Sequence, residues 1–340
     1  MEVTEAKTKT SPPKAALRIL AEQRWATPDG RWSLIGLAGA ACLIATLYWE
    51  NLKHFTFVWS NDDNYSHGWL VAPLSVYFAN YAAERQLRSR KTPRSEPAPS
   101  SGVRLGSVLI ALGLAGRLVT VFLPIGLVAD GSMIVALAGA ITLIFGLGTL
   151  RTYAFPIAFL VFMIPLPVAM YTMLANPLQM IVSKVAAGVM TACGIPVLCE
   201  GNMLTLPGDI RMFVAEACSG MRQLTGFLAL TAAVAYLSGK PSWYRVVLVA
   251  SAVPVAMVAN IARVIVTGLI MYYVDPNYAQ GAWHTAEGMV LMLGGLALLQ
   301  LEMMILNAMT EVFAAGSASA KSSEPEGMET PRGVVQGARV

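Results

Sequence analysis

The chain carries a series of continuous apolar runs, each close to the length needed to cross a bilayer. About 20 apolar residues span a hydrocarbon core of roughly 30 Å, and no water there pairs with bare backbone. Such runs must close their hydrogen bonds internally, as helices. Strands of a transmembrane barrel would instead alternate apolar with polar residues. Composition agrees. Hydrophobic residues make up 56% and charged residues 13%, against about 25% charged in an average soluble domain. Mean hydropathy is +0.58. These values exclude a secreted disulfide scaffold, a disordered chain and an ordinary cytosolic enzyme. The expected fold is all-α integral membrane, a polytopic helical bundle of about eight transmembrane helices.

Spans are expected at 33–49, 68–83, 105–123, 131–149, 152–172, 219–237, 246–270 and 286–309. Before them lies a basic tail, 1–32. After the membrane domain, 33–310, the segment 315–340 is rich in Ser, Gly, Pro and Glu and is expected to be disordered. The first apolar run starts behind the long basic tail, which is not the form of a cleavable signal peptide. Twelve of the 24 basic residues fall in two clusters, 1–31 and 84–104. Because apolar spans flank them, the positive-inside rule explains them better than nucleic-acid binding, and none is expected. Both clusters and both termini are then cytoplasmic, as are Arg151, Lys240 and Arg245. The acidic loop 50–67 lies outside, and so does 173–217, the longest connection. Within it, 178–192 reads as an interfacial or re-entrant helix opened by Asn176-Pro177, since a ninth full span would put Lys240 and Arg245 outside. Asn202–Leu206 and Ile210–Ala215 flank Pro207-Gly208-Asp209, the pattern of a short extracytoplasmic hairpin.

Few residues could carry chemistry. Cys42 sits mid-span as a small hydrophobe. Cys193 and Cys199 could close a disulfide or stay as two separate thiols. No CxxC or HxxxH spacing supports a metal, and no cofactor is expected. Cys218, in Glu216-Ala217-Cys218-Ser219-Gly220-Met221-Arg222-Gln223-Leu224, stands where a polar segment enters the sixth span. A helix N-terminus favours the thiolate, although a structural cysteine is the commoner outcome for such a residue. Arg263, in Asn260-Ile261-Ala262-Arg263, lies about one turn below the outer surface, where a charge should face the bundle interior. His284 begins the eighth span on the outer side, in Trp283-His284-Thr285-Ala286-Glu287-Gly288. The topology thus brings a thiol, a guanidinium and an imidazole to one depth, the parts needed for acyl transfer. His67, in Tyr65-Ser66-His67-Gly68, begins the second span. It could assist catalysis or bind substrate, though capping the helix or ordering the loop is the commoner role for such a residue. His54 reads as interfacial, and Arg117 in the third span must face protein or snorkel.

These motifs resemble those of the exosortase and archaeosortase family. Residues 216–224 are similar to its cysteine motif, 260–263 to its arginine motif, His284 with Gly288 to its histidine motif, and Tyr65 to Gly68 to its N-terminal signature. The resemblance implies a membrane-embedded cysteine peptidase or transpeptidase in the bacterial inner membrane, its active site facing the periplasm. Its partners would be exported proteins ending in a short motif, often Pro-Glu-Pro, then one transmembrane helix and a basic tail. Cys218, Arg263 and His284 would be catalytic. Arg222, Glu216, Asn260 and His67 are candidates for substrate binding, with Arg222 suited to a carboxylate. Two other classes compete. A transporter or lipid-binding membrane protein would line an anionic path with Arg263 and Arg117. A structural subunit would use the outer loops for assembly.

Overall fold

The computed structural model describes residues 30–89, 99–123, 125–214, 221–279 and 281–322. It is a helical membrane bundle with one small sheet. Helix α1 (Gly30–Leu47) is followed by α2 (Trp49–Asn61), whose buried residues Asn51, Phe55 and Trp59 recur every four positions. That spacing gives α2 one face against the bundle and one away from it. A 3-10 turn, Asp63–Tyr65, leads to α3 (Gly68–Ser89). Then come α4 (Pro99–Phe122), α5 (Gly126–Phe145) and α6 (Leu147–Phe159), the last extended by a 3-10 turn to Met163. Helix α7 (Val168–Ala192) precedes the sheet, β1 (Leu198–Glu200), β2 (Met203–Leu206) and β3 (Ile210–Phe213). The chain closes with α8 (Met221–Leu237), α9 (Ser242–Ala250), α10 (Ala252–Tyr273) and α11 (Gly281–Ser322). The last helix runs through the start of the expected tail, and 323–340 lie outside the described residues, as do most of the basic tail and 90–98.

Among the described residues, five helices are long and apolar enough to cross a membrane: 102–122, 126–145, 168–192, 242–273 and 288–312. Shorter apolar helices cover 38–47, 147–163 and 223–237. Two expected boundaries are corrected. The fifth span does not run to residue 172. It ends at Met163, because Pro165 and Pro167 lack the amide protons a helix needs. The helix expected at 178–192 starts ten residues earlier, at Val168, with Pro177 inside it. Pro177 forfeits one backbone bond on a face where Met173 and Pro177 are both exposed. The hairpin forms where expected, with Met203 opposite Phe213 and Leu206 opposite Ile210. Gly208 and Asp209 turn it with φ of 85° and 57°, a region that glycine enters freely and Asp tolerates. Strand β1 adds to the far edge of β2.

Side-chain contacts show which helix ends lie together. Tyr236, at the end of α8, stacks on Phe155 at 3.8 Å and meets Phe78 and Tyr81 in the second half of α3. The turn before α3, Asp63–Tyr65, also packs on α8, so α3 and α8 run in parallel and their starts share one end. In the next layer Phe227 of α8, Ala259 of α10 and Gly295 of α11 meet in one plane, with a Cβ at Gly295 only 3.5 Å from that of Ala259. The end of α10 and the start of α11 therefore lie at that same end. The sheet lies there too, because Met212 and Met190 close over Gly268 near the end of α10. Helix α7 has both of its ends in this region. The Leu166 amide just before it donates to the Tyr65 hydroxyl at 3.1 Å, and Met190 near its end packs on Gly268. Helix α7 is long enough to cross a membrane, and it packs beside the sheet, where Asn202 Nδ2 donates to Gln179 Oε1 at 3.5 Å.

Candidate active site

Arg263 is the one charged residue of α10. It is half-buried, three residues after the buried Asn260 and one before the buried Val264. Its guanidinium lies against the backbone of α11 at Gly288. A Cβ built there would stand 3.0 Å from Nη2, 3.2 Å from Cζ and 3.7 Å from Nε. A glycine at this position lets a planar cation rest on the neighbouring helix. Gly288 is one helical turn beyond His284 along α11. Arg263 is likewise about one turn from Ala259, on the sheet side of the plane shared by Phe227, Ala259 and Gly295. The first turn of α8, Met221 to Leu224, is displaced from Phe227 in the same direction. Arg263, the His284 turn of α11 and the start of α8 thus share one level. Cys218 and Glu216 lie outside the described residues. Cys218 precedes Met221 by three positions in sequence. Arg222 and His284 sit on described backbone, in α8 and α11.

At the same end His67 bridges two segments. Its Nε2 is 3.1 Å from the Phe162 carbonyl, which makes that nitrogen the donor in this pair. Burial holds its pKa below the usual 6.5, opposed by bonds to the Phe162 and Asn64 carbonyls. Nearby, Trp59 Nε1 donates to the Met163 carbonyl at 3.0 Å, and Gly68 fits beneath the Trp59 indole where no Cβ has room. Burial also raises the pKa of Tyr65, whose hydroxyl meets Leu166. The Tyr65 to Gly68 segment is therefore a clasp between the start of α3 and the loop after α6. Its loop-ordering contact is visible, and its turn packs on α8.

Other candidates separate from this cluster. Arg117 lies on α4 with its guanidinium 5.7 Å from the centre of the Tyr48 ring. Tyr48 bonds Ser132 at 3.0 Å, and Asn51 donates to Asp130 at 2.6 Å, so Arg117 belongs to a polar knot joining α2, α4 and α5. Cys193 and Cys199 are free thiols, the latter 3.6 Å from the Gly201 carbonyl. One residue inside the cysteine motif had drawn no role from the sequence. Gln223, in the first turn of α8, is buried, and its Oε1 has no hydrogen-bond partner among the described residues. A polar residue five positions after Cys218 was the only available signal, and burial alone gives it weight.

The family model described as transmembrane exosortase matches residues 59–301 of this chain. No curated protein and no solved structure gives a match. The matched stretch takes in the clasp, the cysteine segment, Arg263 and the His284 turn, and with that coverage the chain belongs to the transmembrane exosortase family, whose members serve in sorting-signal processing at membranes.

Proposed function

We propose that this protein is a membrane cysteine peptidase or transpeptidase that cuts C-terminal sorting signals from exported proteins at the outer face of the bacterial inner membrane. The observation that supports it best is the Arg263 guanidinium resting on Gly288, one turn from His284 and level with the first turn of α8. A substrate anchored by one transmembrane helix presents its scissile bond at the membrane surface, so the reacting groups must gather at a helix end.

In this reading the Cys218 sulfur attacks the scissile carbonyl carbon and forms a C–S bond. His284 takes the thiol proton, and the oxyanion leans on the Arg263 guanidinium. Collapse breaks the C–N bond, and His284 gives its proton to the leaving amine, which departs with the substrate's transmembrane tail. Water or an acceptor amine then attacks the thioester, His284 accepts its proton, and the C–S bond breaks to restore the thiol. Arg222 and Glu216, adjoining Cys218 in sequence, and Asn260 and His67 at the same end would hold the sorting motif. The test is processing of a co-expressed substrate carrying motif, helix and basic tail. Cys218→Ala at normal protein level should leave it uncut, and normal cutting would end the proposal.

A further inference from the structure

A cavity of about 220 Å³ lies away from the site, in the cleft between α3 and α5 and floored by α6. Its lining is almost wholly apolar: Val76 and Ala79 from α3, Leu137 and Ile141 from α5, Ile157 from α6 and Leu160 from the 3-10 turn that follows it. Two hydroxyl residues also line it. Ser75 is already committed, donating to the Pro156 carbonyl at 2.8 Å. Tyr153 is not. It is 94% buried, and its hydroxyl has no hydrogen-bond partner among the described residues. A buried hydroxyl left unpaired is destabilising, so an occupant that pairs it is favoured. Water is a poor candidate, because a trapped water needs two to four polar partners and this cavity offers one free hydroxyl. The fitting occupant is a hydrocarbon chain carrying a hydrogen-bond acceptor at one end.

The cavity opens where Val76 is 68% exposed on the outside of the bundle, a surface that in a membrane protein meets lipid. We infer that this cleft is a binding site for one acyl chain of a membrane glycerophospholipid, with the chain lying between α3 and α5 and its ester carbonyl accepting the Tyr153 hydroxyl. The site is independent of the peptidase chemistry, since none of its residues belongs to the candidate active site.

Photo-crosslinking tests it. The full chain is reconstituted in phosphatidylethanolamine–phosphatidylglycerol vesicles containing a phospholipid with a diazirine in one acyl chain, and labelled peptides are mapped. Label should concentrate on 75–79, 137–145 and 153–160 and be competed by unlabelled phospholipid. Ala79→Phe, which fills the cleft, should abolish that label. Val76→Trp, which blocks its rim without entering the core, should reduce it even if Ala79→Phe folds poorly. Tyr153→Phe keeps the ring and removes the bond, and should weaken retention by about fivefold. Uniform labelling around the bundle, or label at the cleft unchanged in both Ala79→Phe and Val76→Trp, would overturn the assignment and mark the lipid as annular only.

Discussion

At Gly288 a missing side chain decides where a cation sits. The space a Cβ would need is taken by the Arg263 guanidinium, so Gly288→Leu should push that group away from α11. If Arg263 stabilises the oxyanion, processing should fall by about a hundredfold or more, the usual worth of one such donor. Gly288→Ala should cost less, because at 3.0 Å a flexible Nη2 needs to move only slightly. Quantifying cleaved substrate at equal enzyme levels separates the two variants. His67 makes a different prediction. Burial holds its folded pKa below 6.5, so the unfolded chain takes up a proton first as pH falls. Stability from neutral His67 is therefore complete above pH 6.5 and declines below it. Between about pH 7.5 and about pH 5.5 the wild-type melting temperature should drop further than that of His67→Gln. Equal drops would mean that the Phe162 clasp does not sense protonation. The motif residues themselves were legible in sequence, because Cys, Arg and His are scarce and each has a spacing to read. Gln223 was not, since a lone amide carries no periodic signal and matters only once it is buried.

Elements separate the readable from the unreadable more sharply. Helices α4 and α5 were legible as two apolar runs, but their close approach was not. A Cβ at Gly139 would stand 2.7 Å from the Ile110 backbone nitrogen, and one at Gly106 would stand 2.6 Å from that of Leu143. Between lipid-exposed helices, small residues allow the backbone contact that supplies most of the attraction. Gly139→Ala should therefore destabilise the fold by about 1–3 kcal/mol. Gly131→Ala, on the same helix with open space around it, should be neutral or slightly stabilising. Melting in detergent compares the pair, and similar losses would show that the crossing is not tight. Helix α7 shows the opposite difficulty. Its outward face carries Met170, Met173, Leu174, Met180, Ile181, Val185 and Val189, while Gln179 and Ser183 are buried. Hydropathy registers such a helix as apolar without telling a crossing from an in-plane path. Its contacts tie both ends to the sheet end of the bundle.

For the molecule as a whole, the helix contacts put the starts of α3, α8 and α11, the end of α10 and the hairpin at one end of the bundle, and the charge rule expects that end outside. A topology reporter inserted at residue 205 should be extracytoplasmic, and reporters at 95 and 242 cytoplasmic. A cytoplasmic signal at 205 would put the hairpin, and the residues proposed to act beside it, on the wrong face. The sequence alone determined that this chain is a helical membrane bundle. Bilayer thickness and the cost of an unpaired amide leave few other solutions, and both act residue by residue along the chain. It also determined the turn at Pro207-Gly208-Asp209 and which scarce Cys, Arg and His residues stand as candidates. Only the tertiary structure decided that Arg263 rests on Gly288, that α7 stays beside the sheet, and that an open cleft surrounds Tyr153. Those outcomes depend on how side chains far apart in sequence fill a common volume. Hydropathy and spacing hold no information on that until the helices are packed.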